Sequence, residues 1–262
     1  MADADALLRA GDLTGARSAL VEVVRSRPSD AQARMFLFQL LAVAGEWDKA
    51  KKQLQAMAQL SPEAQMLSVA YGQAIDAETT RAAVFAGTQR IDVLANADGW
   101  AGQLAEAIQL LTTGSVEAGI AARDAAFDAA PDASGSFNGQ AFDWIADADG
   151  RFGPAFEVII AGRYGLVPFD AVEKIKCEGT RDLRDLVWLP IQLGMKSGQS
   201  IAAFLPSRYP GSETSTDTGE QLARATSWHT TGWGEAGRGQ RLWTLSDGED
   251  YGILSLKTLE FG

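Results

Sequence analysis

Gly11-Asp12-Leu13, with Ala16, Leu20 and Pro28 after it, returns 34 residues later as Gly45-Glu46-Trp47, Ala50, Leu54 and Pro62. Leu7 returns at the same offset as Leu41. Five matches at one offset are more than glycine and proline punctuation produces by chance. A fixed period of 34 marks stacked helix–turn–helix units of tetratricopeptide type. One such unit cannot bury its apolar face alone, so neighbours stack into a curved array. The concave side of an array commonly receives a segment of another protein, and a binding module is the first function class implied.

The same grammar extends outward from that stretch. A first helix is expected over 3–10, with Asp3 or Asp5 capping its start. Gly11 ends it, and a second helix over 14–27 places Ala16, Leu20, Val21 and Val24 on one face. Pro28 stops that helix, having no N–H and disfavouring α geometry in the residue before it. Asp30 then caps a helix carrying Met35, Phe38, Leu41 and Ala42; Gly45 breaks it, and 47–60 forms its partner before Pro62. Ala16 and Ala50 are small where two helices must approach closely, while Leu20 and Leu54, one turn on, fill the space between units.

Beyond Pro62 the pattern persists only as helical segments, about 63–76 and 78–95, without a clean repeat. Trp100–Thr112 reads as another helix. Gly114 and Pro131 restore the 17-residue glycine-to-proline separation, and Gly119 stands where Ala16 and Ala50 stood. Three recognisable hairpins and one degenerate hairpin are therefore expected, ending at Pro131.

Composition changes next. Residues 132–137, small and polar, read as a linker, and five of the seven tryptophans lie beyond it. Runs 155–160 and 163–168 flank Ala161-Gly162; 186–193 and 200–205 flank Lys196-Ser-Gly-Gln; 241–245 and 251–256 flank Ser246-Asp-Gly-Glu. Each is a hairpin signature. A helix is expected over 218–225. The fold class is α+β: a helical-repeat domain, 1–131, followed by a smaller, mostly antiparallel β-rich domain, 138–262, as an open sheet or a partly closed barrel.

The net charge of −11 argues against nucleic acid and against anionic membrane surfaces, since both need clustered cations. The acidity is spread: 16 acidic and 11 basic residues before position 132, 18 and 12 after it. One cysteine, Cys177, excludes an internal disulfide framework and fits a reducing compartment. The first residues lack a secretory signal pattern, and no segment approaches the roughly 20 apolar residues of a membrane span. A cytoplasmic location is expected.

Sites of chemistry were sought residue by residue. His229, the only histidine, would have to serve any triad, and no nucleophile signature surrounds Cys177. Zinc lacks ligands with one cysteine and one histidine. The densest carboxylate cluster, Asp143, Asp147 and Asp149, lacks an acid at the first calcium-loop position and has Phe156 at the twelfth. Capping and solvated turns account for these acids. The glycines of 232–240 form no phosphate loop and read as a flexible loop. No cofactor is expected. Trp144, Arg184, Trp188, Arg208 and Tyr209 remain as candidates for protein binding, because Arg, Tyr and Trp make large anchors with hydrogen-bonding tips. The alternative for Arg184 and Arg208 is pairing with nearby acids inside a small core.

The strings Phe142-Asp-Trp-Ile-Ala-Asp-Ala-Asp-Gly-Arg-Phe-Gly-Pro154, Gly162-Arg-Tyr with Val167-Pro-Phe169, Arg181-Asp-Leu-Arg-Asp-Leu-Val-Trp188, Arg208-Tyr-Pro-Gly-Ser-Glu213 and Gly239-Gln-Arg241 together resemble the ImpE family, of TagJ or SciE type. The likeness spans about 140–262. It implies a non-enzymatic adaptor or accessory protein of bacterial type VI secretion, with the sheath small subunit and the ClpV-type AAA+ recycling ATPase as partners. The competing readings are an enzyme with a polar site at Asp143, Asp147 or Arg184, and a self-assembling scaffold.

Overall fold

The computed structural model describes residues 2–96 and 98–262. Helices α1 (Ala2–Arg9), α2 (Leu13–Ser26), α3 (Ala31–Val43), α4 (Trp47–Ala58) and α5 (Pro62–Phe85) come first. A two-residue strand, β1 (Asp92–Val93), separates them from α6 (Trp100–Thr112) and α7 (Val116–Ala129). The caps are those the sequence called for. Asp12 accepts from the Gly15 N–H at 2.7 Å, Asp30 from Ala33 at 3.0 Å and Ser61 from Ala64 at 3.1 Å. Asp3 and Asp5 instead lie inside the first turn of α1, where carboxylates favour the positive end of the helix. Ala16, Leu20, Ala50 and Leu54 are buried, as the repeat requires. At Gly119 a Cβ would stand 2.6 Å from the Leu111 side chain, so this hairpin closes only around glycine.

Residues 63–95 differ from expectation. α5 runs unbroken across the anticipated division, because nothing between Ala74 and Arg81 interrupts a helix. It ends at Phe85, Gly87 takes a left-handed φ of 73°, and the chain then extends into β1 rather than continuing as helix to 95.

The β-rich half contains β2 (Gly135–Phe137), β3 (Gln140–Phe142), β4 (Ile145–Asp147), β5 (Ala155–Ile160), β6 (Arg163–Pro168), β7 (Val172–Lys176), β8 (Trp188–Met195) and β9 (Ser200–Pro206). It continues with a short helix α8 (Thr218–Gln221), then β10 (Thr226–Thr231), β11 (Gly234–Gly239), β12 (Leu242–Leu245), β13 (Asp250–Gly252) and β14 (Thr258–Phe261). Nine strands form one sheet in the order β1-β6-β5-β9-β8-β7-β14-β2-β3, antiparallel apart from the β1–β6 pair. β13-β12-β4 make a second sheet, and β10-β11 a two-stranded ribbon. The expected hairpin at 155–168 is present, turning through Ala161 and Gly162 at φ 48° and 80°. Two left-handed residues in succession match the right-handed twist of the strands.

Three expectations need correction. The second half of the linker, Gly135–Phe137, is strand β2, paired with β14. The helix over 218–225 is only four residues long, since Ala223 turns to φ 51°. Residues 234–239 are a strand in full register with β10, not a flexible loop.

Strand alternation divides the core. Ala155, Ile159, Tyr164, Leu166 and Trp188 join the apolar cluster of the helices. Phe156, Val158, Val167, Leu189 and Leu205 face the other way, onto Phe169, Trp243 and Leu259. Among the described residues no helix is long and apolar enough to cross a membrane.

Candidate functional site

The five candidate binding residues have separated fates. Trp144, between β3 and β4, is 40% exposed and borders a cavity of about 270 Å³ with Phe127, Pro131, Pro154 and Phe169. Arg184 lies over the Tyr71 ring, 4.8 Å from its centroid, and grips Asp182 through Nε at 2.9 Å and Nη2 at 2.6 Å. It borders a larger cavity, of about 630 Å³. The other three are interior. Trp188 stacks against Trp47 and Tyr71 and donates from Nε1 to Glu78 at 2.9 Å. The Tyr209 hydroxyl accepts from the Leu242 N–H at 3.1 Å, and burial pushes that phenol far up. Arg208 donates to the Val43 carbonyl at 2.8 Å and to Gln221 at 2.6 Å. It therefore closes the C-terminal ends of α3 and α8, where unsatisfied carbonyls favour a cation. Burial brings its guanidinium down to about 10.

Arg208 belongs to a larger contact. Thr218 Oγ1 donates to the Gly11 carbonyl at 3.3 Å, and the Glu213 side chain lies against Gly45. The segment from Arg208 to Gln221 thus runs along the turns of the first two helical hairpins. The repeat glycines that opened the sequence reading meet the chain's own β-rich half.

Beneath this contact sits a buried ionic cluster. Arg81 of α5 donates to Glu157 of β5 through Nε at 2.7 Å and Nη2 at 3.1 Å, and to the Arg208 carbonyl at 2.7 Å. Arg241 bridges Glu157 and Asp147, with its guanidinium 4.8 Å from the ring centres of Phe152 and Tyr209. Asp149 holds Arg151 in a two-point grip at 2.9 and 2.6 Å and accepts from the Gly237 N–H at 2.8 Å. Burial pushes the Asp147 carboxyl up to about 6 even though Arg241 pulls the other way. Burial likewise lowers Arg241 and raises Tyr164, whose hydroxyl donates to Glu157.

Asp147 and Asp149, expected in solvated turns, are therefore interior partners of arginines. Asp143 stays exposed, and Asp147 and Arg184 border different cavities, so these three are not assembled into one polar site. Sequence reasoning did not single out Arg81 or Glu157. The available signal was Glu157 itself, a lone charge within the apolar run Ala155-Phe-Glu-Val-Ile-Ile160. A carboxylate in a core strand has to be matched.

The chain is 42% identical over 258 residues to the type VI secretion system accessory component TagJ of Pseudomonas aeruginosa, covering 98% of this chain and 90% of that protein. It belongs to the ImpE family. The family model described as ImpE protein matches residues 139–260, and a tetratricopeptide repeat model matches 7–70. The crystal structure of a Vibrio parahaemolyticus protein shares the fold at a TM-score of 0.86 and 20% identity, over 99% of this chain and 97% of that one. Asp147, Glu157, Arg208 and Arg241 fall inside the ImpE match, whereas Glu78 and Arg81 lie in neither matched segment. The second half of α5 is where the ImpE half meets the repeat.

Proposed function

We propose that this ImpE chain is a non-enzymatic adaptor of bacterial type VI secretion that acts in the cytoplasm by holding partner proteins. The observation that carries this reading is the near full-length similarity to an accessory component of that system. The partners proposed are the sheath small subunit and the ClpV-type AAA+ ATPase. The helical part, 1–131, and the β-rich part, 138–262, are taken as two domains that work in contact.

The geometry narrows where partners bind. The turns of the first two hairpins are covered by the chain itself. Open apolar surface on the array lies instead at Leu60, Met66 and Val69, with Met66 76% exposed at the start of α5. In the β-rich half, Trp144 and Arg184 are the two candidate anchors that reach the surface; Trp188, Arg208 and Tyr209 support the scaffold beneath them. Co-purification of the full chain with the sheath small subunit and with the ATPase tests the proposal. Retention of either partner is expected; absence of binding to both refutes it.

A further inference from the structure

The 630 Å³ cavity beside Arg184 is built by strand register. Pairing places Pro190 opposite Phe204, and Lys176 opposite both Gln192 and Thr258. Residues at such positions share one face of a sheet. Trp188, earlier on the same strand and face, is covered by α5, whereas Pro190 and Gln192 emerge beyond the helix. The result is a trough with an apolar end at Pro190 and Ile191, a wall of Tyr71, and a rim formed by Cys177, Glu178 and Gly179. A shallower depression of about 220 Å³ continues it along β7 and β8, sharing Lys176 and Gln192.

The charges along this trough run against the chain's own sign. Its lining holds Lys176, Arg181, Arg184 and Lys257 against Glu178 and Asp185. Three charges are already committed: Arg181 to Glu178, Arg184 to Asp182, and Asp185 to the N–H groups of Arg181 and Asp182 at 2.5 and 3.2 Å. Lys174, the next cation along β7, pairs with Glu260. Among the described residues Lys176 and Lys257 make no ion pair. Two uncommitted ammonium groups above an apolar floor, on a protein of net charge −11, form a local exception with an evident complement.

We propose that this trough binds an acidic, extended peptide segment of a partner protein, with its carboxylates on Lys176 and Lys257 and an apolar side chain on Pro190. Elongation along two strands suits a peptide better than a compact solute, and recognition of acidic segments by clustered cations is a recurrent mode. The class of ligand rests on the adaptor reading above; the site itself rests on the register and the charges.

The test uses the full chain and a fluorescein-labelled peptide of alternating glutamate and leucine, read by polarisation, beside its glutamine counterpart. The glutamate peptide is expected to bind saturably and the glutamine peptide about tenfold more weakly or worse. Lys176→Glu with Lys257→Glu should abolish the difference at unchanged melting, since both side chains are exposed. The milder Lys176→Gln, Lys257→Gln pair serves if the reversal fails to fold. Bound peptide should also slow modification of Cys177, the sole cysteine, on the rim. Equal binding of both peptides, no binding of either, or affinity unmoved by the lysine substitutions would overturn the proposal. Failure here with sheath or ATPase co-purification intact removes the trough and leaves the adaptor. Loss of co-purification with peptide binding intact does the reverse.

Discussion

Asp147→Asn isolates the electrostatic term at the centre of the fold. In the folded chain the Asp147 carboxyl is raised from 3.8 to about 6, with burial outweighing the pull of Arg241. The folded state therefore binds this proton more tightly than the unfolded state does. Stability from the group is fullest below about pH 4 and falls as pH rises to about 6. A shift of about 2 units amounts to about 3 kcal/mol at neutral pH, undiluted by solvent because the side chain is fully buried. Roughly half of it, about 1.4 kcal/mol, is lost between pH 5 and pH 8. Asparagine has nearly the shape of the protonated acid and cannot ionise. Its amide oxygen can still accept from Arg241 and from the Asp149 N–H, which lies 3.0 Å from Asp147 Oδ1. Whatever the fixed cost of substitution, the variant should gain about 1.4 kcal/mol relative to the parent between pH 5 and 8. Urea unfolding of both proteins at several pH values in that range measures the gap. Parallel stability curves, or a gap that closes as pH rises, would refute the reasoning.

Arg208→Ala should unfold several degrees earlier, at a cost of about 3 kcal/mol, because it leaves buried carbonyls at Val43 and Gln221 without a donor. A melting temperature within a degree of the parent would return Arg208 to the list of surface anchors. Trp188→Phe strands the buried Glu78 carboxylate and should cost about 1–3 kcal/mol in chemical denaturation. Gly119→Leu drives side chain into Leu111 and should cost about 1–3 kcal/mol or more by the same measurement. Trp144→Ala, by contrast, should leave melting nearly unchanged while weakening retention of the sheath subunit or the ATPase; a large stability loss with retention intact would make it structural.

The parts of the fold legible in the sequence are those that depend on neighbours in the chain. Helix caps at Asp12 and Asp30, the small residues Ala16, Ala50 and Gly119, and the Ala161-Gly162 turn each follow from local geometry. The pairings of β1 with β6 and of β14 with β2 join residues far apart in sequence, where no turn residue marks the partner. Gly135–Phe137 consequently read as linker. Charge misled in the same way. Asp147 and Asp149 stand beside Gly150 in what looks like a solvated turn, and only the distant Arg241 and Gly237 make them interior. Arg208 and Tyr209 mislead for a different reason. Rigid rings and multivalent guanidinium groups suit both a protein interface and a polar core, so residue type alone leaves the two roles open.

That ambiguity bears on how an adaptor of this shape can work. The contact between the repeat and the ImpE half is not a seam of loosely apposed surfaces. Arg81 reaches from α5 to Glu157, Trp188 reaches back to Glu78, and Arg208 closes α3 from the other side. Opening the two halves would leave Glu157 and Glu78 buried without their cross-partners, and losing one side of a buried ion pair costs about 3–5 kcal/mol. Marginally stable proteins have little reserve for such a step. A partner held at Met66 and Val69 and another held in the Lys176 trough would thus be kept at a fixed separation, with α5 as the common rod between them. On this arrangement, a substitution at Arg81 that touches neither surface should loosen the geometry between two bound partners before it abolishes the binding of either one.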